Sequence, residues 1–87
     1  MKIEKKAQAG TMQSSDLMVF TEPADTLDIQ IDSTVAKQYG HLIQAKVEEV
    51  LNRMNVTAGI IRIKDRGALD YAIDARVQAA VLRSQEA

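Results

Sequence analysis

The chain predicts an α+β fold: a small, largely antiparallel sheet with two helices packed on one face, in the order β-β-β-α-β-α. Three patterns carry that reading. Leu27-Asp28-Ile29-Gln30-Ile31-Asp32 alternates strictly, with Leu27, Ile29 and Ile31 on one face, the period of a half-buried strand. Val35, Tyr39, Leu42, Ile43, Val47, Val50, Leu51 and Met54 then recur at threes and fours, the stripe of an amphipathic helix. Ile61 and Ile63 alternate against Arg62 and Lys64, and an alanine-rich stretch of high helix propensity follows.

Taken in order, Ala7 to Thr11 forms a short first strand. Gln13-Ser14-Ser15-Asp16 is a turn, because Ser and Asp side chains compete for nearby backbone hydrogen bonds. Leu17 to Thr21 is a second, nearly continuously apolar strand, ended by Glu22-Pro23-Ala24-Asp25, since Pro lacks a ladder donor. Leu27 to Asp32 is the third, and Ser33 is placed to cap the long helix that follows. That helix runs about 20 residues, roughly 30 Å. Gly40 inside it costs about 1 kcal/mol relative to Ala, which the long apolar stripe offsets. Asn55 supplies a left-handed stop. Gly59 to Lys64 is the fourth strand, and Asp65-Arg66-Gly67 turns the chain. Residues 68–74 read two ways: Leu69, Tyr71 and Ile73 alternate like a hairpin partner, while Leu69, Ile73, Val77, Ala80 and Val81 share one helical face. Alanine content favours a helix from Ala68 to Ser84, with Asp70 and Asp74 early and Arg83 late, as the helix dipole prefers.

The 87 residues make one domain, with residues 1–6 and 85–87 expected to be frayed. The core is necessarily aliphatic, because Phe20, Tyr39 and Tyr71 are the only aromatics. Cysteine is absent, which fits a reducing compartment. Met1-Lys2-Ile3-Glu4-Lys5-Lys6 is not a signal peptide, and no apolar run approaches the ~20 residues that span a membrane. A cytoplasmic protein without a membrane partner is expected. A net charge of −1 does not point to nucleic acid, and the strip Arg62, Lys64, Arg66 lacks interleaved aromatics. Lys2, Lys5 and Lys6 read as a solvated terminal cluster.

Little of the chain can do chemistry by itself. His41 is the only histidine and lies on the long helix, so neither a nucleophilic triad nor an ordinary metal site is available. Asp28 with Asp32, and Asp70 with Asp74, read as solvated faces. No catalytic or metal-binding residues are assigned. What remains is the serine pair: by sequence physics it reads as a polar turn, and its accessible hydroxyl at Ser14 or Ser15 is also the best attachment point the chain offers for a group supplied by another enzyme. The aliphatic residues are needed for packing, so little is left to line an internal pocket. A group attached there is expected to extend into solvent.

Gly10-Thr11-Met12-Gln13-Ser14-Ser15-Asp16-Leu17-Met18-Val19 resembles the amino-terminal signature of the citrate lyase acyl carrier protein (gamma subunit) family. Gln38-Tyr39-Gly40, Asp65-Arg66-Gly67-Ala68-Leu69-Asp70 and Ala75-Arg76-Val77-Gln78-Ala79-Ala80 resemble further segments of the family in the same order, from about Lys6 to Gln85. The resemblance implies a carrier subunit, not an enzyme on its own. It implies that Ser14 bears 2'-(5''-phosphoribosyl)-3'-dephospho-CoA through a phosphodiester made by a prosthetic-group transferase. It also implies two catalytic partners. An alpha (acyl transferase) subunit exchanges acetyl for citryl on the thiol and releases acetate, and a beta (citryl lyase) subunit releases oxaloacetate and restores acetyl. The competing reading is a small α+β interaction or regulatory domain with no covalent group. A lipoyl or biotinyl domain would need a lysine at the hairpin tip, where this chain has serines.

Overall fold

The structure, a computed structural model, describes residues 1–33 and 36–86. Its elements are β1 (Ala7–Gly10), β2 (Leu17–Glu22), β3 (Leu27–Ser33), α1 (Ala36–Arg53), β4 (Gly59–Asp65) and α2 (Asp70–Ser84). This is the expected order, and residues 70–74 are helical. Val35 and the amides that Ser33 was expected to cap lie at the edge of or outside the described residues.

The strands form one sheet in the order β1-β2-β4-β3. β1 with β2 and β2 with β4 are antiparallel, and β3 with β4 is parallel. The parallel pair follows from the chain path. A parallel connection needs a crossover of a dozen or more residues, and α1 provides it. β4 thereby enters between β2 and β3, and its alternation divides the sheet. Ile61 and Ile63 are buried on the helical side, while Arg62 and Lys64 face away beside Phe20 and Met18.

Both helices cover the same sheet face, and the core lies between. Leu17 and Val19 of β2, Ile61 and Ile63 of β4, Val47, Val50 and Leu51 of α1, and Ile73, Val77 and Val81 of α2 are all at most 2% exposed. Ile43 joins them, and Ile29 and Ile31 pack against the cluster half-buried. The stripe is therefore the expected one over its carboxy-terminal half. Two of its members, Tyr39 and Leu42, are exposed, and so is Leu27 of the apolar strand face. Leu27 begins an edge strand, and Tyr39 and Leu42 lie on the early part of α1, short of the buried cluster.

The amino terminus also differs from expectation. Ile3 is buried, its amide donates to the Ala58 carbonyl at 2.9 Å, and the Thr57 amide donates to the Met1 carbonyl at 2.8 Å. Gly59 makes room for it, since a Cβ there would stand 2.3 Å from Ile3 Cγ1. An apolar side chain with a backbone ladder holds the first residues down. Near the other end, Gln85 Nε2 donates to the Lys2 carbonyl at 2.8 Å.

Asp74 is not a solvated carboxylate. It takes Arg53 Nη2 at 2.6 Å and Lys46 Nζ at 3.6 Å from α1, and Gln78 from its own helix, so it ties the two helices together. The Arg53 hydrogen bond, then Gln78, holds its pKa below the usual carboxylate value.

Leu51→Ala or Ile61→Ala is expected to cost about 2–5 kcal/mol, the range for emptying a packed aliphatic site. Leu82→Ala, exposed on α2, stays within about 0.5 kcal/mol. Chemical denaturation of the three variants measures both; equal losses at all three contradict the placement of the core.

Candidate functional site

The serine pair sits in the short connection from β1 to β2. Two backbone constraints shape it. Gly10 has φ +103, and a Cβ there would stand 1.9 Å from the Leu17 carbonyl oxygen, so only glycine lets the two strands approach this closely. Ser15 has φ 64, in the left-handed region, which reverses the chain in the turn closed by Asp16 N–H to the Gln13 carbonyl at 3.2 Å.

Asp16 fixes the turn from inside. Its Oδ2 accepts from Thr11 Oγ1 at 2.6 Å, and its Oδ1 accepts from the Leu17 amide at 2.8 Å. Arg76 of α2 reaches it with a fork, Nε to Oδ1 at 3.2 Å and Nη2 to Oδ2 at 2.8 Å. Such paired charge-assisted bonds fix orientation as well as distance. Arg76 first, then Thr11, lowers the Asp16 pKa to about 2, and the hydrogen bond to Asp16 raises that of Arg76.

The loop between β4 and α2 braces the turn from outside. The Ser15 amide donates to the Arg66 carbonyl at 2.8 Å, and the Arg66 amide donates to the Asp16 carbonyl at 2.9 Å. Arg66 Nη1 donates to the Met12 carbonyl at 3.3 Å. That loop is itself held by the buried Asp65, which accepts from Ser33 Oγ at 2.8 Å, Gly67 N at 3.1 Å and Ala68 N at 2.9 Å.

Ser14 stands at the apex of this braced turn. It is exposed, and its hydroxyl makes no hydrogen bond among the described residues. No base is hydrogen-bonded to it among the described residues: the nearby carboxylate, Asp16, is committed to Thr11, Leu17 and Arg76. An exposed oxygen without a local base fits attachment by another enzyme and does not fit a self-activated nucleophile. Ser15 is exposed as well, but its backbone is bonded to Arg66.

The other candidates are not gathered here. His41 is exposed on α1, Asp28 accepts from Gln30 on an edge strand, and the described residues contain no group of three His, Cys, Asp or Glu side chains placed to hold a metal. No helix among the described residues is long and apolar enough to cross a membrane. The sequence reading assigned no role to Arg76 or Arg66. The pattern around them gives no clue, because each acts on a turn more than fifty residues away.

An open groove of about 680 Å³ lies on the other side of the Asp65–Ala68 loop, lined by Tyr39, Leu42, Ile43, Leu69, Tyr71 and Ile73 among others. The sequence predicts that few apolar side chains are left over from packing to line a pocket. Those of the groove are present because the early turns of α1 and α2 extend past the sheet-covered core.

Residues 4–84 match the family described as malonate decarboxylase delta subunit (MdcD), an acyl carrier protein family. The citrate lyase acyl carrier protein of Haemophilus influenzae is 50% identical over 86 residues, 99% of this chain and 90% of that one. Its counterpart in Cronobacter sakazakii is 53% identical over 88 residues, 100% of this chain and 91% of that one. Among solved structures, a chain of a Pseudomonas malonate decarboxylase hetero-tetramer, crystallised with malonate, superposes with a TM-score of 0.82 at 25% identity, over 94% of this chain and 86% of that chain.

The lowered pKa fixes the pH response of the turn. The folded state favours the Asp16 carboxylate, so the stability this gives is complete above the ordinary value of 3.8 and is lost as the pH falls through about 2. An NMR titration of the Leu17 amide is expected to show a midpoint near the lower value. A midpoint at the ordinary carboxylate value contradicts the Arg76 fork.

Proposed function

The chain belongs to the citrate lyase acyl carrier protein family, with a carrier role and a covalently attached prosthetic group, and on that premise we propose that Ser14 is the attachment residue. The observation that carries the proposal is the Ser14 hydroxyl, exposed and unbonded at the apex of a turn whose two sides are pinned by Asp16–Arg76 and by Arg66. A pinned turn presents one hydroxyl in one geometry to a prosthetic-group transferase, without unfolding anything to reach it.

The group we assign is 2'-(5''-phosphoribosyl)-3'-dephospho-CoA, joined through a phosphodiester. The chemistry it supplies when bound is a thiol, which this cysteine-free chain lacks, to hold acetyl and citryl while citrate is cleaved to acetate and oxaloacetate. The alpha acyl transferase and beta citryl lyase subunits are the partners in this reading, and the carrier is not an enzyme on its own. The chain contributes position. A tether makes each encounter with a partner's site effectively intramolecular, which raises the local concentration of the carried group. In the same reading the whole chain is one acyl-carrier domain, acting in the cytoplasm without membrane or nucleic acid.

Ser14→Ala is expected to abolish loading and the citrate cleavage that depends on it, with the fold retained, because an exposed turn hydroxyl contributes little stability. Ser15→Ala is expected to load. Intact mass and fragmentation of protein co-expressed with the transferase check both. A group carried by Ser14→Ala contradicts the assignment, and wild-type protein with no added mass favours the interaction-domain reading.

A further inference from the structure

Of the eight large apolar side chains exposed in the described residues, Tyr39, Leu42, Leu69 and Tyr71 gather at one place, the groove between the early turns of α1 and α2. Ile43 and Ile73 are its buried members. Nothing in the fold requires so much apolar surface to stay open there, and such a patch marks a binding surface.

We propose that this groove is an intramolecular resting site for the acetylated end of the Ser14-linked arm. The inference rests on Ser14 as the attachment residue. Three observations favour the arm as occupant. The first is position. The Ser15 amide bonds the Arg66 carbonyl, and Gly67, one residue or about 4 Å of chain further on, already lines the groove. The second is charge. The exposed Arg66 guanidinium is held at the turn by the Met12 carbonyl, where it complements the phosphodiester at the root of the arm. The third is the lining. Its aliphatic and aromatic side chains suit methylenes, a gem-dimethyl group and an acetyl methyl. Its acidic members, Asp65 and the exposed Asp70, oppose the free carboxylates of a citryl group.

The groove therefore discriminates between the two acyl states. The acetyl form, which must persist between turnovers, lies against apolar surface where water reaches the thioester less readily. Exchange of acetyl for citryl adds carboxylates that the groove rejects, and the arm is released toward the partner that cleaves it.

The test uses holo protein, with the group first located on Ser14 by fragmentation and its thiol then acetylated with a carbon-13 methyl. Contacts from that methyl to the Tyr39, Leu42, Leu69 and Tyr71 side chains are expected in nuclear Overhauser spectra, and are expected to vanish in the citryl form. Leu69→Ser and Leu42→Ser, both at exposed positions, are expected to remove the contacts and to speed spontaneous hydrolysis of the acetyl thioester several-fold. An acetyl methyl without protein contacts, hydrolysing as fast as a free acetyl-pantetheine thioester, overturns the proposal and leaves the Ser14 assignment standing. Shifts at these residues that appear only when a catalytic subunit is added overturn it in favour of a subunit-docking face. Absence of the group from Ser14 overturns the attachment assignment and this inference together.

Discussion

The Asp16 carboxylate is the point at which the two ends of the β1–β2 connection meet a distant helix. It holds Thr11 and Leu17 at the two ends of the β1–β2 connection and takes the forked guanidinium of Arg76 from a helix sixty residues later. Without a counter-charge, a half-buried carboxylate between two strand ends would disfavour the close approach that Gly10 permits. With Arg76 in place, the same carboxylate makes the turn a rigid mount on the helical layer. Ser14 projects from that mount, and the carrier reading depends on it.

Burial of the aliphatic layer in turn determines where Arg76 can be. Val77, Ala80 and Val81 seat α2 on β1 and β2, and Asp74 clamps it to α1 through Arg53 and Lys46. One helical register thus serves three tasks on adjacent positions: Ile73 and Val77 pack, Asp74 locks the helices, and Arg76 reaches the turn. A shift of one residue in that register would uncouple all three. The Asp65 loop forms the second wall, joined to the turn by backbone bonds that do not depend on side-chain identity.

The sequence made the elements legible because each announces itself locally. Ile61 and Ile63 against Arg62 and Lys64 can only be a one-sided strand, and Val47, Val50 and Leu51 can only face one way from a helix. The order of strands was not legible, because β4 inserts between β2 and β3 through pairings that leave no local trace. Ile3 was missed for the same reason: its partner is the gap over Gly59, far along the chain. At the site, the turn and its serines were visible from Ser and Asp chemistry, and the family resemblance chose Ser14 between them. Arg76 and Arg66 were invisible as site residues, since on their own elements they read as ordinary surface charges. The groove was hidden because Tyr39 and Leu42 share the periodicity of the buried stripe and differ from it only in how far the sheet extends beneath them.

The most direct test of the mount is a double-mutant cycle on Asp16→Asn and Arg76→Gln, reading the rate at which the prosthetic-group transferase loads Ser14. Each single change is expected to slow loading markedly while the far-ultraviolet circular dichroism and the unfolding midpoint still report a folded domain. The double change is expected to be no slower than the worse single one, because both remove the same interaction. Loading at the wild-type rate in all three variants contradicts the account, since Ser14 would then be presented without the pair that is said to hold it.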